Sequence, residues 1–285
     1  MIIVETHAHP IAADTRKYPI QPLGGVQSEW SKDFSNTADE FLALMDEAGV
    51  AQATLVQAST VHGYDNSYTA DCAAAHPDRF VGIGCIDALA SNAPDVLSYW
   101  IAERGLKGIR LFTTGSTLPE SNWLDSRQVD PFWERARQLR IPVNVQIRYT
   151  GIPMLMNVIE RYPDITYVVD HLAGPALEDG PPYAAAADLL ALSRYPTVYL
   201  KFSTMNLQAA AKGRATVKSF FETLINRFGA NRIEWASNYP AVKPFKNAVD
   251  LALRELAFLP EAEQAWLLGG TARELYPDLK KGLPG

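Results

Sequence analysis

The stretch Ile2-Ile3-Val4-Glu5-Thr6-His7-Ala8-His9 places two histidines directly after a short apolar run. Successive side chains of a β-strand point to opposite faces, so His7 and His9 point the same way at a strand's end. Two neighbouring imidazoles can hold a metal ion or polarise a carbonyl oxygen. The chain has only five histidines in 285 residues. The alternative is a chance pair close to a frayed N-terminus.

This run is the first of eight similar ones, and longer segments with the spacing of amphipathic helices lie between most of them. One predicted helix is capped by Thr37 and ends at Gly49, another begins at Asp130, and the others cover residues 66–75, 93–104, 152–161, 183–193, 216–228 and 246–256. The predicted strands cover residues 2–6, 53–58, 80–86, 108–112, 143–147, 165–169, 198–202 and 233–237. Strict alternation favours a parallel sheet, and eight strands in a chain of this length close most naturally into a (β/α)8 TIM barrel of the α/β class. An open doubly wound sheet is the alternative, but the Gly-rich turn expected after its first strand is absent.

Composition limits the function classes. Residues 1–285 suit one barrel domain, in which the poorly periodic segment 10–35 is expected to cover the active site. The net charge of −6, without a Lys/Arg run, argues against nucleic-acid binding. Two cysteines outside any CxxC motif fit a reducing cytoplasm, and no window approaches a membrane span. We therefore expect a cytoplasmic protein with a small-molecule partner, and a homodimer is a frequent assembly for such proteins.

Polar side chains collect at the carboxyl ends of the predicted strands, where barrels of this type carry their active sites. Arg110 takes an inward position on the fourth strand and suits bidentate binding of a carboxylate. His171 ends the sixth strand. Asn238, after the eighth strand, is a further candidate catalytic residue. The other candidates for substrate binding are Gln146 and Arg148 on the fifth strand, Lys201 and Ser203 on the seventh, and His62 in a loop over the site.

Each candidate also has a purely structural interpretation. Arg110 could form an ordinary ion pair, and Lys201 could extend its ammonium past the barrel rim. His171 alone would more often be a hydrogen-bonded core residue. Asp170 is unattractive as a base, because strand alternation turns it away from the side that His171 faces. Charged residues inside strands are rare without a partner or a function, which favours the catalytic interpretation of the set.

Five motifs occur in the order and at the spacing of one known superfamily. They are His7-Ala8-His9, Gly108-Ile109-Arg110-Leu111, Val168-Val169-Asp170-His171, Val198-Tyr199-Leu200-Lys201-Phe202-Ser203 and Trp235-Ala236-Ser237-Asn238-Tyr239-Pro240. Together they resemble the amidohydrolase superfamily, and more narrowly the amidohydrolase-related group of 2-pyrone-4,6-dicarboxylate lactonase, sulfomuconolactone hydrolase and the sugar-acid lactonases. The similarity spans essentially the full chain, including Gly269-Gly270-Thr271-Ala272-Arg273, where the family usually has Gly-Asn-Ala.

The resemblance implies a hydrolase that opens a small carboxylated lactone, or a similar cyclic ester, by attack of water on the carbonyl. In the lactonase branch, histidines matching His7, His9 and His171 surround the scissile carbonyl, an Arg binds a substrate carboxylate, and an Asp after the eighth strand activates water. Some relatives use no metal. Others bind one divalent ion, commonly zinc, so those three histidines are the expected ligands if a metal is present. A metal-dependent decarboxylase or hydratase of an aromatic-catabolism intermediate is the alternative on this scaffold.

The chain departs from the family pattern at Asn238, where the family has an Asp. An Asn cannot accept a proton near neutral pH, and it is a poor zinc ligand. Three explanations remain open: another group serves as the base, the substitution was engineered to trap a substrate, or the protein is catalytically impaired and only binds its ligand. The candidates for another base are Glu5, the pair Lys201 and Ser203, and the histidines themselves.

Overall fold

The computed structural model describes residues 1–115 and 117–281. Eight parallel strands lie side by side in chain order. They are β1 (Val4–Ala8), β2 (Gln52–Val56), β3 (Phe80–Cys85), β4 (Gly108–Phe112), β5 (Val143–Gln146), β6 (Tyr167–Val169), β7 (Val198–Ser203) and β8 (Ile233–Ala236). The predicted fold, a single (β/α)8 TIM barrel, is confirmed. All eight strands fall where the sequence predicts them, although β6 is shorter than expected.

Three hydrogen bonds close the barrel between β8 and β1 and the residues that follow these strands. The Thr6 hydroxyl donates a hydrogen bond to the Trp235 carbonyl at 2.7 Å, and the backbone N–H of Ser237 donates to the Glu5 carboxyl group at 2.8 Å. The backbone N–H of His9 donates to the carbonyl of Tyr239, also at 2.8 Å. The first and last motifs of the chain are thus joined at one edge of the barrel.

Helices surround the strands. They are α1 (Ala38–Ala48), α2 (Ser59–His62), α3 (Ser67–Ala75), α4 (Ala93–Ser98), α5 (Asp130–Leu139), α6 (Ile152–Arg161), α7 (Ala187–Ala191), α8 (Thr204–Ala210), α9 (Val217–Phe228), α10 (Phe245–Glu255), α11 (Glu261–Ala265) and α12 (Thr271–Leu275). The sequence predicts most of these, and the Thr37 cap of α1 forms a full capping box with Glu40. It misses four short helices: α2, α8, α11 and α12.

An apolar cluster inside the barrel supports the polar residues at the strand ends. Val4, Val56, Val81, Ile83 and Val168 form this cluster, which packs against α12 and Tyr276. Tyr276 is 1% exposed and packs next to Gly108, the first residue of β4, at the end of the barrel opposite the candidate site. Apolar side chains therefore fill the barrel floor, and the polar groups above it have no contact with solvent from that side.

The covering segment, residues 10–35, reaches the carboxyl end of the barrel, where its Trp30 stacks on His9. An antiparallel bridge between Ile11 and Asn36 holds its two ends together. His62 holds its middle: Nε2 accepts from the Ala12 N–H at 3.3 Å, and Nδ1 bonds to the Pro19 carbonyl at 3.1 Å. Within the described part of the chain, none of the helices combines the length and the apolar character that crossing a bilayer requires.

Candidate active site

Three imidazoles meet at the carboxyl end of the barrel. The ring of His7 lies between those of His9 and His171, with centroid separations of 4.9 and 4.7 Å. The His9 ring also stacks on Trp30 of the covering segment, at 5.3 Å. His7 is fully buried, and neither of its ring nitrogens has a hydrogen-bond partner among the described residues. The structure thus brings the three predicted histidines together under the cover.

One hydrogen bond fixes the tautomer of His9. Its Nδ1 lies 2.9 Å from the carbonyl oxygen of Val56. Because a carbonyl oxygen can only accept, Nδ1 must carry the proton in the neutral ring, and Nε2 is left with a free lone pair. His9 therefore offers an acceptor through Nε2, and not a donor.

A second polar cluster lies beside the imidazoles. Arg110 Nε donates to Asp170 Oδ2 at 2.6 Å, and Arg110 Nη2 donates to Gln146 Oε1 at 2.8 Å. Asp170 Oδ1 lies 3.3 Å from Lys201 Nζ and 3.7 Å from His7 Nδ1. The carboxylate that Arg110 binds is therefore the protein's own. Of the guanidinium nitrogens, Nη1 is the one outside these two bonds.

The inward position of Asp170 corrects the sequence analysis, which turned this residue away from the site. His171, Leu172 and Ala173 all have positive φ values, between 50° and 57°. Asp170 precedes this run and shares the inward face of Val168, as strand alternation requires, whereas the left-handed backbone, rare for residues with a Cβ, begins at His171 and brings that residue in as well. Asp170 and His171 therefore both reach the site, although they are adjacent in the chain.

Lys201 lies beneath the site and does not line the cavity. Its Nζ donates to Asn144 Oδ1 at 2.7 Å and lies 3.5 Å from Glu234 Oε1. Asn144 Nδ2 donates in turn to the Tyr276 hydroxyl at 3.1 Å. Lys201 is fully buried, so the prediction that it contacts substrate finds no support in this geometry. It neutralises buried carboxylates instead.

Burial and the neighbouring cations keep the imidazoles neutral. Burial, followed by the charge of Arg110, lowers the pKa of His9 to about 3 and the pKa of His7 well below its usual value. Burial also lowers the pKa of His171 to about 4, although the charge of Asp170 opposes this shift. Burial raises the pKa of Asp170, but Lys201 and Arg110 outweigh it and hold that pKa well below its usual range. At neutral pH the site thus holds neutral rings beside an ionised Asp170.

Asn238 enters the site from the turn after β8. Its backbone is left-handed, with a φ of 64°, which Asn adopts more readily than most residues. The side chain lines the same cavity as His9 and His171. An Asn amide at this place can donate a hydrogen bond through Nδ2 but cannot take up a proton.

Two adjoining cavities open above these residues. The inner cavity, of about 270 Å³, is lined by His9, Trp30, Arg110, His171 and Asn238 among others. The outer cavity, of about 600 Å³, shares His171, Gln146, Gly115 and Met205 with the inner one and continues to Arg148, Tyr149 and Glu120. Arg148 is 63% exposed, and its Nε lies 3.8 Å from Glu120. Of the predicted site residues, four line neither cavity: His7, His62, Lys201 and Ser203.

The comparisons with known proteins agree with this architecture. Residues 4–277 match the family model described as amidohydrolase, so the chain belongs to the amidohydrolase family. L-fucono-1,5-lactonase of Burkholderia ambifaria is 22% identical over 240 residues, which cover 83% of this chain and 80% of that protein. A protein described as a 2-pyrone-4,6-dicarboxylic acid hydrolase from Pseudomonas putida has a TM-score of 0.78 at 22% identity, over 99% of each chain.

A third relative carries a metal. It is an amidohydrolase from Burkholderia multivorans with bound zinc, with a TM-score of 0.74 at 21% identity over 97% of this chain and 99% of its own. Together these findings confirm the predicted family and make the chain an enzyme of the hydrolase type.

The donors and charges of this site do not fit a metal centre. Within residues 1–115 and 117–281, no group of three or more His, Cys, Asp and Glu side chains is placed to hold one ion. The Asp170 carboxylate is paired with Arg110 and lies 3.3 Å from Lys201, and the side chain that enters the cavity after β8, Asn238, is an amide and not a carboxylate. A divalent cation would therefore meet the positive charges of Arg110 and Lys201, with the single carboxylate of Asp170 already paired to both of them.

Proposed function

We propose that this enzyme hydrolyses a small lactone that carries a carboxylate, and that its own side chains carry out each step. The observation that carries the proposal is the pair of neutral imidazoles, His9 and His171, on the wall of a cavity that also exposes Arg110 and Asn238. The lactonase and hydrolase names of the relatives support the reaction type. The arrangement supplies the proton acceptor and the hydrogen-bond donors that ester hydrolysis requires.

His171 is the proposed general base. It lies at the junction of the two cavities, and its pKa of about 4 keeps it neutral at pH 7. A water that donates to its Nε2 loses a proton to that nitrogen as its oxygen attacks the lactone carbonyl carbon. The adjacent Asp170 stabilises the imidazolium that forms. His171 then returns the proton to the ring oxygen as the C–O bond breaks, which yields a hydroxy acid.

Arg110 and Asn238 are the proposed donors to the carbonyl oxygen. Negative charge develops on that oxygen during attack, and donors held in place before the reaction stabilise it. Arg110 is fixed by Asp170 and Gln146, which leaves Nη1 for this role. Asn238 supplies Nδ2. The family resemblance implies the opposite roles, with histidines around the scissile carbonyl and a base after the eighth strand. In this assignment His9 presents an acceptor and Asn238 a donor.

The substrate carboxylate is proposed to bind in the outer cavity. Arg110 is already paired with Asp170, whereas Arg148 is more than half exposed and only loosely paired with Glu120. We expect Arg148→Gln to raise KM for a carboxylated lactone by about tenfold, the loss of one charge-assisted hydrogen bond, and to leave KM for a neutral lactone unchanged. Steady-state kinetics on matched pairs of lactones measure the difference. An equal rise for both substrates would place the carboxylate elsewhere.

The proposal is tested by following acid release from a panel of carboxylated and neutral lactones with the purified protein. We expect turnover by the wild type, and a loss of about 10²–10⁴-fold in kcat for His171→Ala, since that range is typical for a general base. Dialysis against a chelator should leave the wild-type rate unchanged. No turnover of any lactone, or release of carbon dioxide from carboxylated aromatic compounds, would contradict the proposed lactone hydrolysis.

A further inference from the structure

Asn206 lies behind His171, away from the cavity, and makes three hydrogen bonds. Its Nδ2 donates to the backbone carbonyl of His171 at 2.9 Å. Its Oδ1 accepts from the backbone N–H of Ser203 at 2.8 Å and from the Ser203 hydroxyl at 3.2 Å. The side chain is 5% exposed and belongs to the first turn of α8.

The two backbone groups leave one orientation for the Asn206 amide. A carbonyl oxygen only accepts and a backbone N–H only donates, so Nδ2 must face His171 and Oδ1 must face Ser203. The Ser203 hydroxyl therefore lies 3.2 Å from Asn206 Oδ1, an atom that can only accept. The hydroxyl donates its proton to this atom, since two oxygen lone pairs facing each other at this distance would repel.

This order extends to the His171 ring. Ser203 Oγ lies 3.1 Å from His171 Nδ1. Because the hydroxyl proton is directed to Asn206, Oγ meets the ring with a lone pair, and Nδ1 must carry the proton. Nε2 is consequently unprotonated, which is the form that accepts a proton from water.

We infer that Asn206, acting through the Ser203 hydroxyl, is a positioning residue that selects the Nδ1-protonated tautomer of His171. The inference deepens the proposed function, because a base at Nε2 requires this tautomer. It also reassigns Ser203, which the sequence analysis places among the substrate-binding residues. Ser203 is fully buried and lines neither cavity.

A direct test observes the tautomer. Protein with ¹⁵N-labelled histidine rings is examined by two-bond ¹H–¹⁵N correlation at pH 7, and His171→Gln identifies the signals of His171. We expect the wild type to show a protonated Nδ1 and an unprotonated Nε2 at this ring. In Asn206→Ala the hydroxyl of Ser203 is free to donate to Nδ1, so the Nε2-protonated form should appear. A protonated Nε2 in the wild type, or an unchanged tautomer in Asn206→Ala, overturns the inference.

Kinetics and a capping control separate this role from a structural one. Asn206→Ala should lower kcat by about 10–100-fold with KM little changed, as is typical when the partner of a catalytic imidazole is removed. Asn206 also helps to cap α8, so Thr216→Ala, which removes the corresponding cap of α9, serves as the matched control. That variant should lose stability while the His171 tautomer and kcat stay the same. If Thr216→Ala lowered kcat equally, the effect of Asn206 would be structural.

The tautomer measurement needs no substrate, so the inference and the proposed function can fail separately. The expected spectra without any lactone turnover would contradict the proposed reaction alone. Lactone turnover with the opposite tautomer would contradict the role of Asn206 alone.

Discussion

Asn238 is the residue at which the sequence departs from the lactonase pattern that it resembles, and the proposed mechanism uses it as a hydrogen-bond donor. It shares the inner cavity with His171, which can take up the proton. We expect Asn238→Asp to lower kcat by about 10²–10³-fold, because a carboxylate cannot donate to the oxyanion and repels it. Asn247→Asp on the exposed face of α10 is the matched control and should leave kcat unchanged. A rise in kcat for Asn238→Asp would instead identify Asn238 as a disabled base.

The proposed base also predicts a pH dependence. Burial lowers the pKa of His171 to about 4, so its proton-accepting form is present above that pH and is lost as pH falls through it. We expect kcat/KM to stay level between pH 5 and 7 and to fall tenfold per pH unit below about 4. Initial rates of lactone hydrolysis, corrected for the spontaneous reaction, give the profile. An acidic limb near pH 6.5 would indicate an unshifted imidazole and contradict the assignment.

Residue-level prediction from sequence succeeds where strand geometry decides the outcome. Alternation places His7 and His9 together, and it places Arg110 at the same end of the barrel. It fails at the end of β6, because the left-handed run from His171 to Ala173 has no sequence signal of its own: alternation counted back from His171 turns Asp170 outward, whereas alternation counted from Val168 places Asp170 inward. The sequence also does not show that Asp170 faces Arg110, and this pairing occupies the guanidinium that is predicted to bind a substrate carboxylate.

At the scale of elements, strands and long helices follow from periodicity, whereas short helices do not. The spacing Ser203-Thr204-Met205-Asn206 is the capping signal that could have located α8, since Asn206 bonds back to the Ser203 N–H. Seven residues are too few for a clear helical period. The arrangement of Asn206 and Ser203 behind His171 therefore could not be predicted from helical periodicity, although the capping motif contains both residues.

The covering segment gives an element-scale prediction. His62 on α2 holds this segment through Ala12 and Pro19, and Trp30 of the same segment stacks on His9. We expect His62→Ala to raise KM about fivefold, the loss of roughly one net hydrogen bond from the closed cover, with kcat within about twofold. His76→Ala on the outer surface is the control and should change neither constant. A large fall in kcat with unchanged KM would assign His62 to the chemistry.

The whole molecule holds a buried charge network whose balance depends on pH. Glu234 is 1% exposed, and neither of its oxygens has a hydrogen-bond partner among the described residues, although Lys201 lies 3.5 Å away. Burial raises its pKa from 4.5 to about 7. The folded state therefore binds this proton more tightly than the unfolded state does, so the contribution of Glu234 to stability falls as pH rises from 4.5 through about 7.

Glu234→Gln removes this titration and keeps the shape of the side chain. We expect the stability of the variant relative to the wild type to increase with pH over that window, by up to about 3 kcal/mol, because each unit of pKa shift is worth about 1.4 kcal/mol. Urea unfolding of both proteins at pH 5, 6, 7 and 8 measures the difference. Glu47→Gln on the exposed side of α1 should show no such slope. A difference that shrinks with pH would mean that Lys201 keeps Glu234 ionised throughout, and that the network beneath the active site carries one more fixed negative charge.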